Sequence, residues 1–240
     1  MGNRLHAERS VSHPVRTVRV MFFERRCPVC SQLHRTICLR CVDSLELAEE
    51  LQVPGLDQAT ALFNYDDASA RLILAAKNGG RRDLLRWAGR HLATAVASEA
   101  VTIDIVTWVP AHPEQRRTRG YDQGQILARA VAKQLGSRAR PLLQRRSSGS
   151  SRKGLDRVDR LTGPDVYARR RSGGNVLLVD DVMATGTSLE CCATVLRAAG
   201  AERVSAAIVA TSTSRSHARS AEAGSTIYIG ISSGNRPQAT

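Results

Sequence analysis

Aromatic residues are scarce in this chain, at 4% of its 240 residues. A platform that stacks single-stranded bases needs several exposed rings, so this mode of nucleic-acid binding has little support. No apolar run approaches the ~20 residues of a membrane-spanning helix, and the Arg-rich start lacks the apolar core of a secretion signal. The P-loop pattern and the G-x-G-x-x-G fingerprint are both missing. We therefore expect a cytoplasmic protein that uses neither of these common nucleotide-binding motifs.

Basic residues outnumber acidic ones, with 35 Lys and Arg against 22 Asp and Glu and a formal net charge of +13. Such a surplus indicates polyanionic partners, either nucleic acid or phosphorylated small molecules. Part of the surplus is concentrated in residues 138–171, where eleven basic residues accompany three acids. Gly and Ser interrupt this segment, so we predict a mobile basic flap rather than a packed element. Residues 1–20 are predicted to be a disordered basic arm, and Met21 is an alternative start of translation.

Strand and helix patterns alternate along most of the chain. The predicted strands cover residues 59–65, 101–110, 175–179, 203–210 and 225–231. The predicted helices cover residues 45–51, 68–78, 82–97, 123–136 and 187–199. This order predicts an α/β fold with a doubly wound, mostly parallel sheet, in which ligands bind beyond the carboxyl ends of the strands. We assign this domain to residues 53–215 and expect a C-terminal strand and polar tail over residues 216–240.

The segment 175–190 reads NVLLVDDVMATGTSLE. A turn such as ATGTS that passes directly into a helix points free backbone amides and the positive end of the helix dipole at one place, which suits a phosphate. Asp180 and Asp181, just before this turn, would repel a phosphate but can accept hydrogen bonds from sugar hydroxyls. A phosphorylated sugar satisfies both features. The alternative is an ordinary strand followed by a capped helix, with acids that are merely solvated.

Four of the six cysteines form two C-x-x-C pairs in the stretch CPVCSQLHRTICLRC. These residues are Cys27, Cys30, Cys38 and Cys41. Four thiolates at this spacing can surround one tetrahedral Zn²⁺, and closed four-Cys sites are structural. An iron–sulfur cluster or a redox dithiol is the alternative. We predict a zinc ribbon over residues 21–52. The other two cysteines, Cys191 and Cys192, neighbour each other in a later helix, and we interpret them as buried helix residues.

The stretch VLLVDDVMATGTSL resembles the signature with which type I phosphoribosyltransferases bind phosphoribosyl pyrophosphate (PRPP). The resemblance implies that Asp180 and Asp181, the predicted catalytic residues, contact the ribose hydroxyls and the shell of a bound Mg²⁺. It also implies that the following loop holds the 5′-phosphate. The loop residues are Ala184, Thr185, Gly186, Thr187 and Ser188. Ala184 stands where the family often has Thr or Ser, so we expect one hydroxyl contact to be missing.

A small zinc ribbon ahead of such a domain resembles the ComF family of competence proteins. Two further stretches carry this resemblance, WVPAHPEQRRTRGYDQGQILARAVA and LILAAKNGG. The first contains Arg116 and Arg119 and the second contains Lys77, and these cations are the best candidates to hold the pyrophosphate of PRPP. In the flap, Arg152 stands near a position where the family commonly has Gln. This departure puts any inherited acceptor specificity in doubt.

These resemblances support three functions. The first is a Mg²⁺-dependent phosphoribosyltransferase that displaces pyrophosphate from PRPP, or acts on a related sugar phosphate, with an unidentified acceptor. The second is a non-catalytic competence factor that handles single-stranded DNA and meets DNA-uptake proteins. Its candidate DNA contacts are Arg145, Arg146, Arg152 and Lys153. The third is a regulator that binds PRPP without turnover. No general base is assigned, although Asp181 is the acid closest to the chemistry.

Overall fold

The computed structural model describes residues 25–49, 51–99, 101–146 and 166–212. The predicted arm, the predicted strand at 225–231 and the middle of the flap lie outside these ranges. The helices are α1 (Leu39–Val42), α2 (Asp67–Asn78), α3 (Arg82–Ala97), α4 (Pro113–Arg119), α5 (Gln123–Leu135) and α6 (Thr187–Ala198). The strands are β1 (Gln58–Asn64), β2 (Ile105–Trp108), β3 (Arg138–Ala139), β4 (Leu143–Arg145), β5 (Val166–Ala168), β6 (Asn175–Met183) and β7 (Arg203–Thr211). Within the described ranges, no helix has the length and apolar character needed to cross a membrane.

Five strands form one parallel sheet in the order β1-β7-β6-β2-β3. The chain passes from β2 through α5 to β3 on one side, and from β6 through α6 to β7 on the other. The direction of winding therefore reverses between the paired strands β2 and β6. In open α/β sheets the ligand crevice lies beyond the carboxyl ends of the strands at such a point. The sheet confirms the predicted doubly wound fold and brings together the segments that follow β2 and β6.

Strand β6 is buried on both faces of the sheet. Leu177 and Val179 pack into a core shared with α2, α3 and α5, whereas Val176 and Leu178 pack into a second core with α6. All four side chains are at most 1% exposed, and burial of each contributes about 1.5–3 kcal/mol. A central parallel strand has no solvent-facing side, which explains the unbroken apolar run before Asp180.

The segment after α1 is extended, so the helix predicted over residues 45–51 is wrong. Ala48 donates a backbone hydrogen bond to Leu62 O at 3.1 Å, and Asn64 donates one to Glu46 O at 2.8 Å. β1 is an edge strand of the sheet, and its outer backbone groups would otherwise lack protein partners. Pairing with this edge outweighs the weak helical preference of a short segment.

The two ends of the predicted flap are built into the fold. β3 joins the main sheet beside β2, and β4 pairs with β5 in an antiparallel hairpin. Leu142 and Leu143 are 1% and 5% exposed and belong to the core around α6. The prediction of an unpacked segment over residues 138–171 is therefore wrong at these ends, because an apolar pair anchors the chain despite its many charges.

The four-Cys segment is docked on the corner between α2 and α3. The apolar residues with which it joins the core of those helices include Ile37, Val42 and Leu45. Arg81, just before α3, donates hydrogen bonds to Arg26 O and Arg35 O, each 2.8 Å long. The same guanidinium forms an ion pair with Asp83 at 2.8 Å, which holds it in place. Apolar packing and directed hydrogen bonds thus fix this segment to the larger domain.

Candidate functional site

A short exposed loop connects β6 to α6 at the crevice. Ala184, Thr185 and Thr187 are exposed, and Ser188 is partly exposed. Gly186 is the N-cap residue of α6, with a φ of 80°, and no side chain of the described ranges caps this helix. The first-turn amides and the positive end of the helix dipole are therefore available to an anion. The hydroxyls of Thr185 and Thr187 lie 3.0 Å apart and can add further donors.

Asp180 and Asp181 lie inside β6 rather than after it. The predicted strand end at residue 179 is wrong, because β6 continues to Met183 and pairs with β7 as far as Thr211. Successive side chains of a strand point to opposite faces of the sheet. Asp180 therefore lies on the α6 face, where it is partly exposed. Asp181 lies on the α2–α3 face and is 7% exposed.

Asp181 forms an ion pair with Lys77 of α2. Lys77 Nζ lies 3.0 Å from Asp181 Oδ1, and the two side chains are 22% and 10% exposed. The second oxygen, Asp181 Oδ2, is buried and has no hydrogen-bond partner within the described part of the chain. An acceptor left in this way costs ~1–3 kcal/mol. The structure thus pairs Lys77, predicted to hold the pyrophosphate, with Asp181, predicted to contact the sugar. It leaves Asp181 Oδ2 for a ligand hydroxyl or a hydrated cation.

The carboxyl of Asp180 holds its proton unusually tightly. Burial and then the Asp181 charge raise its pKa to about 8, against lowering effects that include the charges of Lys77 and Arg145. Burial and the charge of Asp180 likewise raise the pKa of the Cys192 thiol to about 12. Arg145, predicted from the sequence as a DNA contact, thus also influences Asp180, a link between β4 and β6 that no sequence pattern indicates.

The raised pKa of Asp180 predicts a pH-dependent stability. Below about pH 4 the carboxyl is protonated in both the folded and the unfolded chain. As the pH rises from about 4 to about 8, only the unfolded chain releases this proton, so the stability contributed by Asp180 is lost across this window. Asp180→Asn removes the effect. We expect the melting temperature of the variant, relative to wild type, to rise by about 3 °C or more between pH 5 and pH 8.

Thermal unfolding followed by circular dichroism at the two pH values measures this difference. Asp67→Asn changes an exposed carboxyl on α2 and is the matched control. The control should follow the pH dependence of the wild type. An Asp180→Asn variant that also follows the wild-type curve contradicts a raised pKa at this position.

The segment after β2 forms α4 and a turn that leads into α5. Arg116 is exposed, whereas Arg119 is partly exposed. The Nη1 atom of Arg119 is buried and has no hydrogen-bond partner among the described residues. Gly120, with a φ of 71°, ends α4. Asp122 caps α5 by accepting a hydrogen bond from Gln125 N at 3.3 Å. The buried guanidinium nitrogen is a donor that a phosphate oxygen can satisfy.

Asp122 also ties this turn to the end of β2. Trp108 Nε1 donates a hydrogen bond to Asp122 Oδ2 at 3.3 Å. Burial raises the pKa of Asp122, although hydrogen bonds from Gln125 N and Trp108 and the charge of Arg116 oppose the rise. Gly124 packs against the Trp108 ring, where an added Cβ would lie 3.0 Å from Cδ1. The arginines of α4 are therefore carried by a closely packed turn.

The four predicted metal ligands converge in the structure. The sulfur atoms of Cys27, Cys30, Cys38 and Cys41 lie within 4.8 Å of one another, and those of Cys30 and Cys38 are 3.6 Å apart. A tetrahedral Zn²⁺ with bonds of about 2.3 Å places its sulfur ligands about 3.8 Å apart, so this cluster can bind zinc.

The thiols of this cluster differ in acidity. Burial raises the pKa of Cys27, but backbone N–H groups of Cys30, Cys38 and Val29 donate hydrogen bonds to its sulfur and bring the pKa down to about 6. Burial and the neighbouring sulfurs raise the pKa of Cys41. Crowded thiols cannot all ionise unless a cation offsets their repulsion, and a metal ion meets this condition.

The second half of the chain matches a known family. Residues 122–230 match the phosphoribosyl transferase domain. The matched range contains β6, the loop after it and α6, and therefore Asp180 and Asp181. The five-stranded parallel sheet is typical of type I phosphoribosyltransferases. Among curated proteins, none shows a significant match to the chain.

Solved structures align with the chain at low sequence identity. The allosteric regulatory enzyme of purine biosynthesis is 25% identical, with a TM-score of 0.37 over 51% of this chain and 25% of its own. The glutamine PRPP amidotransferase from B. subtilis is 23% identical, with a TM-score of 0.36 over 51% of this chain and 26% of its own. The adenine phosphoribosyltransferase from Saccharomyces cerevisiae is 18% identical, with a TM-score of 0.37 over 61% of this chain and 76% of its own. The chain spans about a quarter of the length of the first two proteins.

Proposed function

We propose that this chain, which carries a phosphoribosyl transferase domain, is a Mg²⁺-dependent enzyme that binds PRPP and transfers its phosphoribosyl group to an acceptor. The observation that carries the proposal is a set of unpaired groups around the crevice. Among the residues that the structure describes, the first turn of α6 has no side-chain cap, Asp181 Oδ2 on β6 is buried without a partner, and so is Arg119 Nη1 at the end of α4. Amides, a carboxylate and a guanidinium suit the phosphate, the ribose hydroxyls and the pyrophosphate of PRPP.

Each part of PRPP has protein groups of suitable chemistry. In the proposed complex, the amides of residues 184–188 hold the 5′-phosphate. Asp180 and Asp181 accept hydrogen bonds from the ribose hydroxyls. The cations that hold the pyrophosphate are Lys77, Arg116 and Arg119. The two arginines suit this role because a guanidinium can donate two parallel hydrogen bonds to phosphate oxygens.

The acids also fit the magnesium ion that accompanies PRPP. Mg²⁺ takes oxygen ligands and keeps several of its waters. Asp181 Oδ2 is an oxygen that has no partner in the described ranges, which leave out residues 147–165 and both chain ends. When bound, the ion neutralises charge on the pyrophosphate leaving group.

The proposed reaction is a displacement at the anomeric carbon of the ribose. The bond from this carbon to the pyrophosphate oxygen breaks, and its electron pair leaves with pyrophosphate. A lone pair of the acceptor forms the new bond, and the acceptor proton passes to a base or to water. The protein contributes positioning and electrostatic stabilisation of the cation-like sugar, without a covalent enzyme intermediate.

A structural zinc ion in the four-Cys cluster completes the proposed protein. Residues 25–49 form a segment too short to build a core of its own, so a metal would stabilise it strongly. A four-Cys ribbon ahead of a phosphoribosyltransferase domain resembles the ComF family. On this resemblance we extend the proposal to a role in competence and DNA uptake.

Phosphorus NMR of the protein with PRPP and Mg²⁺ tests binding and turnover together. Binding should shift and broaden the 5′-phosphate signal. Turnover with a panel of acceptors should release free pyrophosphate only when Mg²⁺ is present. A spectrum of PRPP that the protein leaves unchanged refutes binding. Binding without pyrophosphate release across the whole panel refutes transfer and leaves a PRPP-binding regulator.

Binding of single-stranded DNA is the second candidate function. Residues 138–171 hold eleven basic residues and three acids, and such a surplus attracts a polyanion. β4 ends at Arg145. The next residue, Arg146, places its guanidinium carbon 5.7 Å from the centre of the Tyr167 ring. Arg152 and Lys153 lie outside the described residues.

A quadruple alanine variant tests the DNA candidate. The changed residues are Arg145, Arg146, Arg152 and Lys153. The slope of log affinity against log salt should flatten by up to about 3, since each contact with a single-strand phosphate contributes about 0.7. Fluorescence anisotropy with a labelled oligonucleotide measures this slope.

A matched quadruple variant controls for the change in net charge. It replaces exposed cations of α3 and α5, which are Arg86, Arg90, Arg129 and Lys133. Three Arg and one Lys change to Ala in both variants. A flattened slope only in the flap variant supports DNA binding by the flap, whereas equal slopes in the two variants rule it out.

A further inference from the structure

Tyr121 lies between the two halves of the proposed pyrophosphate site. It follows Gly120, which ends α4, and precedes Asp122, which caps α5. Asp122 is bonded to Trp108 at the end of β2. The backbone of Tyr121 is thus held between a helix end, a helix start and the central sheet, so its side chain projects from a fixed base.

The phenol hydroxyl of Tyr121 reaches the last turn of α2. It donates a hydrogen bond to Ala76 O, and it lies 3.3 Å from Lys77 O. The last carbonyls of a helix have no partner within the helix and need one from outside. Tyr121 supplies this partner from a distant part of the chain, at the turn of α2 that carries the Lys77 side chain.

The ring of Tyr121 is held as well as its hydroxyl. The guanidinium carbon of Arg82, in the first turn of α3, lies 4.7 Å from the centre of the Tyr121 ring. A cation over an aromatic face is attracted to it. Tyr121 therefore contacts α3 through its ring face and α2 through its hydroxyl, and only the hydroxyl contact reaches the residue paired with Asp181.

We propose that Tyr121 is a positioning residue for Lys77. Its hydroxyl fixes the end of α2 and so keeps Lys77 Nζ 3.0 Å from Asp181 Oδ1, in the place from which it serves the pyrophosphate. This inference rests on the proposed function, in which Lys77 holds the pyrophosphate. The Tyr121 hydrogen bond links the end of α4, which carries Arg119, to α2, which carries Lys77. The two cations therefore keep a fixed spacing.

Tyr121→Phe tests the inference because it removes the hydroxyl and retains the ring beneath Arg82. Affinity for PRPP with Mg²⁺, measured by isothermal titration calorimetry, should fall about fivefold, the effect of one lost hydrogen bond. In a Lys77→Ala background the same change should alter affinity less than twofold, because the side chain to be positioned is gone. Tyr65→Phe removes the hydroxyl of a tyrosine that is 43% exposed and should change nothing.

The outcomes separate the inference from the proposed function. A wild type that does not bind PRPP refutes the proposed function. A wild type that binds, combined with a Tyr121→Phe variant of normal affinity, overturns the inference alone. An equal loss in the wild-type and Lys77→Ala backgrounds overturns it too, because a general structural effect of Tyr121 would not depend on Lys77.

A ligand-free measurement tests the positioning directly. An ammonium held by a largely buried carboxylate exchanges its protons slowly and should give a lysine side-chain signal in nitrogen-edited NMR. Asp181→Asn should remove this signal and thereby assign it to Lys77. Tyr121→Phe should weaken or remove the signal, whereas Tyr65→Phe should retain it. A signal that persists unchanged in Tyr121→Phe overturns the inference whether or not PRPP binds.

Discussion

An Asp180→Asn, Asp181→Asn double variant is expected to bind PRPP with Mg²⁺ about 100-fold more weakly than wild type, or weaker still. A hydrogen bond to a charged group contributes ~1.5–3 kcal/mol and one to a neutral carboxyl ~0.5–1.5 kcal/mol, and every 1.4 kcal/mol is a tenfold change in affinity. Asn keeps the shape of Asp, so the backbone pairing of β6 should survive. Lys77 loses its charged partner but is 22% exposed, so its ammonium can turn toward solvent. We therefore expect a folded protein with an impaired site.

Calorimetric titration with PRPP gives the affinity, and circular dichroism reports the fold. An Asp43→Asn, Asp67→Asn double variant changes two exposed acids and removes the same formal charge. If this control binds PRPP with wild-type affinity, the weaker binding of the Asp180→Asn, Asp181→Asn variant results from the place of these two acids in the site and not from the change in net charge. Unchanged affinity in a folded Asp180→Asn, Asp181→Asn variant would remove the acids from the sugar site.

The second large effect is expected at the four-Cys cluster. One equivalent of zinc should copurify with the protein, and Cys27→Ser should release it, because Cys27 is 1% exposed and lies within a group of converging sulfurs. Loss of a structural zinc removes several kcal/mol of stability, and each kcal/mol corresponds to about 2–4 °C in a chain of this size. We expect the melting temperature to fall by about 10 °C or more.

Elemental analysis of the purified protein and thermal unfolding measure these two quantities. Cys191→Ser replaces a partly exposed cysteine on α6 and should leave both of them unchanged. Iron in place of zinc, with visible absorption, would favour an iron–sulfur cluster. A stable wild type that contains no metal contradicts both metal-binding interpretations and leaves the redox dithiol.

Much of the fold could be predicted because local signals agreed with the final structure. The helix predicted over residues 82–97 coincides with α3, Arg82–Ala97, because its apolar spacing is strongly periodic. The strands predicted at 59–65 and 203–210 match β1 and β7 to within a residue or two. Alternation of such elements suffices to predict a doubly wound sheet.

The errors arose where a distant partner decided the structure. The segment 45–51 has no strong local preference, and the open edge of β1 decides its conformation. Asp180 and Asp181 look like the end of a strand, yet β7 continues alongside them and pairs with β6 as far as Met183. Local patterns do not report how far a neighbouring strand extends.

In the candidate site, too, local features could be predicted and contacts between distant segments could not. Asp180, Asp181 and the loop after β6 could be found from the sequence, because their order along the chain is itself the signal. The ion pair of Lys77 with Asp181 and the bond from Tyr121 to α2 could not, because each joins residues that are far apart in sequence. Contacts of this kind depend on packing, which no short motif encodes.

The docking of the four-Cys segment has a consequence for any attempt to divide the protein. Ile37, Val42 and Leu45 fill space beside α2 and α3, so a fragment that began at residue 53 would leave an apolar hollow open to water. We expect such a fragment to aggregate, and the excised ribbon to lose its shape without the surface it rests on. The two parts are units of sequence but not of folding, and calorimetry of the whole chain should show one cooperative melting event.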